Sequence, residues 1–208
     1  PNNPTGTYWT ESELIDFLER VGEDRIVVID EAYCEYVEAP DYPDGLRLME
    51  RFPNVVVFRT FSKMYALAGL RVGYLIGVEE VVDVVRRTFV AYSVNNLAQQ
   101  AARAAILNDK EHIAETRRIV NEARSYLQTV CKRIGLETVG GQGNYLMIRS
   151  PVNDLLMYRR LMKQGMMVRS MTGFRFPGWI RVTLREMPVM EAFADVLEGE
   201  IKALGKGR

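Results

Sequence analysis

The chain has 208 residues, nearly half of them hydrophobic, and its 27 Lys plus Arg are balanced by 27 Asp plus Glu. That length holds one large domain or two small ones with a substantial core. A formal charge of zero argues against a surface built for nucleic acid or acidic membranes, which needs clustered excess Lys and Arg.

The chain opens "PNNPTG", two prolines bracketing two asparagines, which reads as a stiff turn. Thr10 followed by Glu13 is a capping-box pattern and predicts a helix over 11–21. "RIVVID", "NVVVFRT" and "RVGYLIG" are apolar runs rich in β-branched residues, so three strands are expected. They lack polar alternation, as in a sheet covered by helices on both faces. Helical patterns follow over 79–90, 97–108 and 110–134, the last with Ile113, Val120, Leu127 and Ile134 at helical spacing. After Gly135, "NYLMIRS", "MMVRSM" and "WIRVTLRE" read as strands, with helices near 153–164 and 188–204. The chain thus divides into an α/β part to about residue 88 and an α+β part after it, linked by the long helix.

Cys34 and Cys131 lie far apart, without CxxC spacing or a histidine cluster. No metal site and no disulfide framework are expected, and reduced thiols point to the cytoplasm. No apolar run approaches the ~20 residues that span a bilayer. The single histidine, His112, falls in the charged run "DKEHIAETRR" and is expected on a solvated helix face. Ser-His-Asp and Cys-His chemistry are therefore disfavoured.

"VVIDEAY" puts a carboxylate pair at the end of a strand. A Walker-B reading needs a GxxxxGK[ST] loop, and the sequence has none. In the other reading Asp30 faces a ligand crevice at the carboxyl end of a parallel strand. A buried carboxylate there needs a cation or several donors. Taken alone, the motif is better explained as a helix N-cap. "FRTFSKMYALAGLRVGY" changes the balance: Lys63 follows the second strand beside Thr60 and Ser62, and Arg71 comes eight residues later. A lysine amine in apolar company is a nucleophile toward aldehydes, because desolvation favours its neutral form. The hydroxyls and Arg71 supply donors for a phosphate. An aldehyde, a phosphate and a ring nitrogen that wants a carboxylate together describe pyridoxal phosphate.

"PNNPTG", "DEAY" and "TFSK…AGLRVGY", in this order and spacing, resemble the fold-type I pyridoxal-phosphate-dependent aminotransferases of class I/II. The histidinol-phosphate aminotransferase group is the nearest, and "SVNNLAQQAA", "QGNYLMI" and "IRVTL" extend the likeness over most of the chain. The resemblance implies that Lys63 bonds to the cofactor aldehyde and moves the substrate proton. Asp30 pairs with the protonated pyridine nitrogen, Tyr33 and Asn3 donate to the ring phenolate oxygen, and Thr60, Ser62 and Arg71 hold the phosphate. Arg181, in "WIRVT", clamps the substrate α-carboxylate. "RVTLREMP" is about two residues shorter than the family pattern, so Arg185 is a lesser candidate, sharing a strand face with Arg181 if the strand continues. Asn144 either lines the same pocket or bonds nearby backbone.

The fold so implied is α/β. Residues 1–88 form part of a pyridoxal-phosphate transferase large domain, a mostly parallel sheet with helices on both faces. Residues 89–208 form the interdomain helix and a smaller α+β C-terminal domain. The likeness covers the last three-fifths of a family member. The family's Gly/Ser phosphate turn, ring-stacking aromatic and partner-subunit tyrosine are expected upstream of Pro1. The 208 residues alone are not expected to be a competent enzyme. The implied function is transamination in histidine or other amino-acid biosynthesis. The amino donor would be histidinol phosphate or an aromatic amino acid, with 2-oxoglutarate and glutamate as co-substrates, and the assembly a homodimer. A decarboxylase of a phosphorylated amino acid and a non-catalytic domain keeping the fold are the alternatives.

Overall fold

Thr10 begins the first helix as its sequence requires. Its hydroxyl accepts from the Glu13 N–H at 3.3 Å, and the Glu13 carboxylate accepts from the Thr10 N–H at 2.8 Å. The resulting helix, α1 (Glu11–Val21), turns Leu14 and Leu18 inward. The computed structural model describes residues 1–88 and 90–205. They form two compact units: residue 1 with 8–114, and residues 2–7 with those from 115 onward.

In the first unit, α1 leads to β1 (Val27–Asp30), α2 (Gly45–Arg51), β2 (Val55–Thr60), β3 (Gly73–Ile76), α3 (Glu79–Arg87) and α4 (Asn96–Asn108). The strands form one sheet in the order β1-β2-β3. β1 and β2 are parallel, with Val27 opposite Val55 and Asp30 opposite Phe58. β3 runs antiparallel to β2, with Thr60 opposite Gly73. Side chains alternate across a strand, so Val27, Ile29, Val55 and Val57 share one face. That face packs against Leu14 and Leu18 of α1, Leu48 of α2, and Phe52. On the other face Val28 and Phe58 are 51% and 43% exposed. The apolar runs suggested helices on both faces; among the described residues, β1 at Val28 and β2 at Phe58 lack that cover. Such runs record β-propensity and do not specify which face is covered.

The sequence suggests no element over 45–51, where α2 forms. Only two turns long, it depends on tertiary anchoring. Asp44 caps it by accepting from the Leu46 N–H at 3.0 Å. The helix expected over 79–90 is seen as α3 to Arg87, and Phe89 lies outside the described residues.

The division between the units falls within α5 (Lys110–Arg133). The second unit continues with β4 (Thr138–Val139), β5 (Tyr145–Arg149), α6 (Asp154–Lys163), β6 (Arg169–Ser170), β7 (Trp179–Thr183) and α7 (Met187–Gly205). Its sheet is antiparallel, in the order β4-β5-β7-β6. Its interior collects Leu146 and Ile148 of β5, Leu127 and Val130 of α5, Met157 and Leu161 of α6, and Phe193 and Leu197 of α7. β7 stops at Thr183, short of the "WIRVTLRE" reading, so the strand does not carry Arg185. Arg185 is exposed and pairs with Glu186 at 3.1 Å. No helix among the described residues is long and apolar enough to cross a membrane.

Candidate active site

Parallel pairing of β1 with β2 brings Asp30 and Thr60, the last residue of each strand, to one edge of the first unit's sheet. The antiparallel return of β3 sets Gly73 opposite Thr60, so Arg71, two residues earlier, reaches the same edge. Asp30, Thr60, Ser62, Lys63 and Arg71 line a single cavity of about 580 Å³ with Ala32, Phe58 and Arg59. Asp30 is exposed, not buried, and one of its carboxylate oxygens accepts from the Ala32 N–H at 3.0 Å. Thr60 Oγ1 accepts from the Ser62 N–H at 3.1 Å, and Arg71 donates to the Ala68 carbonyl at 2.9 Å, with Ser62 Oγ 3.5 Å away. Arg71 itself sits at φ 52°, in the left-handed region, a conformation rare outside glycine. Lys63 is exposed, not shut in apolar company, and its Nζ stands 5.5 Å from the Tyr33 ring centroid.

The loop that carries Lys63 is anchored on both sides. Met64 is fully buried, Phe61 packs with Ala98 and Ala102 of α4, and Tyr65, Leu67 and Leu70 join that cluster. His112 is within 2.8 Å of the Met64 carbonyl through Nε2. His112 lies on an exposed helix face, as expected, and its ring also holds the backbone next to Lys63. The signal was missed because the run around it is charged, and charge does not reveal a backbone partner 48 residues away.

The carboxylate that is buried is Glu31, 2% exposed. Adjacent residues of a strand point to opposite faces. Asp30 therefore turns to the cavity and Glu31 to the covered face. There Arg59 Nε and Nη2 meet Glu31 Oε2 at 2.8 and 2.7 Å, and the Gly45 N–H donates to Oε1 at 2.9 Å. The pairing with Glu31 raises the Arg59 pKa, against the lowering effect of burial. Sequence reasoning gave this role to Asp30; alternation carried one residue past β1, where the Glu31 N–H donates to the Phe58 carbonyl, assigns it to Glu31.

In the second unit the side chain of Asn3 meets that of Arg181, whose Nη1 donates to the Asn3 carboxamide oxygen. That contact leaves the carboxamide NH₂ available to donate. The Arg181 guanidinium lies 5.0 Å from the Tyr145 ring centroid and 5.9 Å from that of Phe174. Register sets Arg169 of β6 directly opposite Arg181 of β7, and Arg169 lies 5.7 Å from the same Phe174 ring. Neither arginine makes an ion pair among the described residues. Two like charges side by side, without an ion-pair partner among the described residues, are suited to receive an anion. Arg169 was missed because only strand register brings it beside Arg181. Asn144 precedes β5 and is half-buried, and its backbone carbonyl accepts from the Leu184 N–H at 2.9 Å.

Comparison with known proteins identifies the family. The family model for aminotransferase class I and II matches residues 1–197. A histidinol-phosphate aminotransferase of an Anaeromyxobacter species is 44% identical over 187 residues, covering 88% of this chain and 50% of that protein. Histidinol-phosphate aminotransferase 2 of Carboxydothermus hydrogenoformans is 46% identical over 185 residues, covering 88% and 51%. The chain spans about half the length of these two relatives. The crystal structure of histidinol-phosphate aminotransferase from Sinorhizobium meliloti in complex with pyridoxal-5'-phosphate matches with a TM-score of 0.86 at 25% identity, over 98% of this chain and 56% of that one. With a family model matching nearly its whole length, the chain belongs to the class I and II aminotransferases.

Proposed function

We propose that this chain carries the cofactor lysine and the anion-binding arginines of a pyridoxal-phosphate-dependent aminotransferase. The amino donor in this reading is histidinol phosphate, or an aromatic amino acid, and the acceptor is 2-oxoglutarate. The observation that carries the proposal is the convergence of Lys63, Asp30, Thr60, Ser62 and Arg71 on one cavity. That donor set fits pyridoxal phosphate: an amine for its aldehyde, two hydroxyls and a guanidinium for its phosphate, and a carboxylate for its pyridine nitrogen. When bound, the cofactor supplies an electron sink for the charge left as the substrate α-proton departs.

The residues do the rest. Lys63 Nζ takes the α-proton and returns it. Asp30, its carboxylate steadied by the Ala32 N–H, keeps the ring nitrogen protonated. Tyr33 and the Asn3 carboxamide donate to the ring oxygen. Arg181 and Arg169 hold the substrate's anionic group. Histidinol phosphate offers a phosphate and 2-oxoglutarate a carboxylate, so one arginine pair can serve both half-reactions. Asn144 belongs to the same substrate site in this reading. Residues 1–88 are assigned to the cofactor-binding large domain, and 89–208 to the interdomain helix and small domain. A homodimer in the cytoplasm fits the exposed Leu97, Ile106 and Leu107 of α4 and the unbridged Cys34 and Cys131.

The test uses the intact protein with pyridoxal phosphate, histidinol phosphate and 2-oxoglutarate. Glutamate should form without carbon dioxide, and Lys63→Ala should lower turnover by roughly 10³-fold or more. Full activity in Lys63→Ala would end the cofactor assignment. Release of carbon dioxide in place of glutamate would make the protein a decarboxylase.

A further inference from the structure

Two of the contacts of Tyr145 are not explained by a single role in binding. Its hydroxyl donates to the Asn2 carbonyl at 2.7 Å, and its ring lies under the Arg181 guanidinium. Register accounts for the second contact. Tyr145 pairs with Thr183 and Met147 with Arg181, so Arg181 is a diagonal neighbour on the same sheet face. The side chain is 3% exposed. Gly143 makes room for it: a Cβ there would sit 2.8 Å from Tyr145 Cζ.

The same turn grips the far end of the Asn3 loop. The Gln142 N–H donates to the Gly6 carbonyl at 2.8 Å, and Gly141 approaches Gly6 so closely that a Cβ on Gly141 would lie 2.2 Å from the Gly6 carbonyl carbon. Residues 2–7 are thereby pinned at both ends, with Asn3 between the pins and its carboxamide oxygen on Arg181.

We propose that Tyr145 is a positioning residue that sets Arg181 and Asn3 as one unit. The face of its ring places the guanidinium, and its hydroxyl places the backbone next to Asn3. This rests on the roles given above to Arg181 and Asn3. The two contacts separate experimentally. The Asn2 carbonyl also accepts from the Gly6 N–H at 2.7 Å, so Tyr145→Phe leaves no orphaned acceptor and keeps the buried ring. Tyr145→Leu removes both contacts.

Three readouts in the intact protein test the inference: KM for the amino donor, the pH midpoint of the bound cofactor's absorbance, and hydrogen exchange of residues 2–7 without cofactor. Tyr145→Phe should keep KM within about twofold while exchange over 2–7 rises about fivefold, the worth of one hydrogen bond. Its absorbance midpoint should rise by about half a unit as the Asn3 donation loosens. Tyr145→Leu should add a KM increase of about tenfold from the lost guanidinium–ring contact, with a smaller change in kcat. Unchanged exchange and midpoint in Tyr145→Phe would overturn the loop half of the inference. Unchanged KM in Tyr145→Leu, with Arg181→Lys raising it tenfold, would overturn the arginine half. If Arg181→Lys also left KM unchanged, the anion-binding role of Arg181 would fall, while the loop exchange would still decide the role of the hydroxyl.

Discussion

Asp154 is a carboxylate with no exposed surface and, among the described residues, no ion pair. Burial alone would push its pKa up. The Ser170 hydroxyl, the Gly178 and Thr172 N–H groups and the Thr172 hydroxyl outweigh that and hold it well below the usual range. A pKa lowered by folding contributes stability that is fully present above the unfolded value, ~3.9, and is lost as pH falls through the folded one. Asp154→Asn should therefore destabilise by roughly 2–3 kcal/mol at pH 7, since it removes hydrogen bonds to a charge. Denaturant titrations should show the gap to wild type constant down to about pH 5 and narrowing below about pH 4. A gap independent of pH would mean that packing, not charge, carries the effect. Nothing in "VNDLL" advertises this residue: first-turn acids are common, and the donors come from 16 to 24 residues away. Asp30 and Lys63 drew notice for the opposite reason, because the motifs that single them out are short and local. Glu31 beside Asp30 was not, since burial depends on which face of β1 is covered.

Elements with local signals stood out in the sequence. The Thr10–Glu13 box fixes the start of α1, and Thr10→Ala should cost about 1 kcal/mol in chemical denaturation. α2 has a local cap in Asp44 but no reciprocal box, and a distant group shares its start: the Glu31 carboxylate accepts from its first N–H. That arrangement requires glycine. A Cβ on Gly45 would lie 2.4 Å from Glu31 Oε1 and 2.9 Å from Val57 Cγ2. Gly45→Ala should therefore destabilise by about 1–3 kcal/mol, as overpacking does, although alanine has the higher helix propensity. A neutral or stabilising result would show that Glu31 yields easily. Because Glu31 holds Arg59, and Arg59 neighbours Thr60, the same variant should also weaken cofactor binding. Strand lengths were less legible than helix starts. "MMVRSM" and "WIRVTLRE" run beyond the paired residues: β6 pairs only Arg169 and Ser170 with β7, and β7 ends at Thr183, opposite the first residue of β5.

At the scale of the whole molecule, the α/β character and the order of the strands and helices other than α2 and β4 follow from periodicity, and what covers the first sheet does not. Helices α1 and α2 bury one face through Val55 and Val57. The other face presents Val28 and Phe58, with Ile26 just outside β1 also exposed. β1 stands at the edge of the sheet, bonded to β2 alone among the described residues. An exposed apolar face beside an open strand edge is a template for association. The 208 residues, prepared alone, should therefore associate in a concentration-dependent way by sedimentation velocity. Replacing Val28 and Phe58 together by threonine keeps β-propensity and removes apolar surface, so association should weaken while the far-ultraviolet spectrum stays the same. Burying those two side chains between copies would contribute roughly 2–4 kcal/mol, given their half-exposed state. Removing that contribution should raise the dissociation constant by about tenfold or more. A monomer at high concentration, or association unaffected by the double replacement, would show that this face is not what draws copies together.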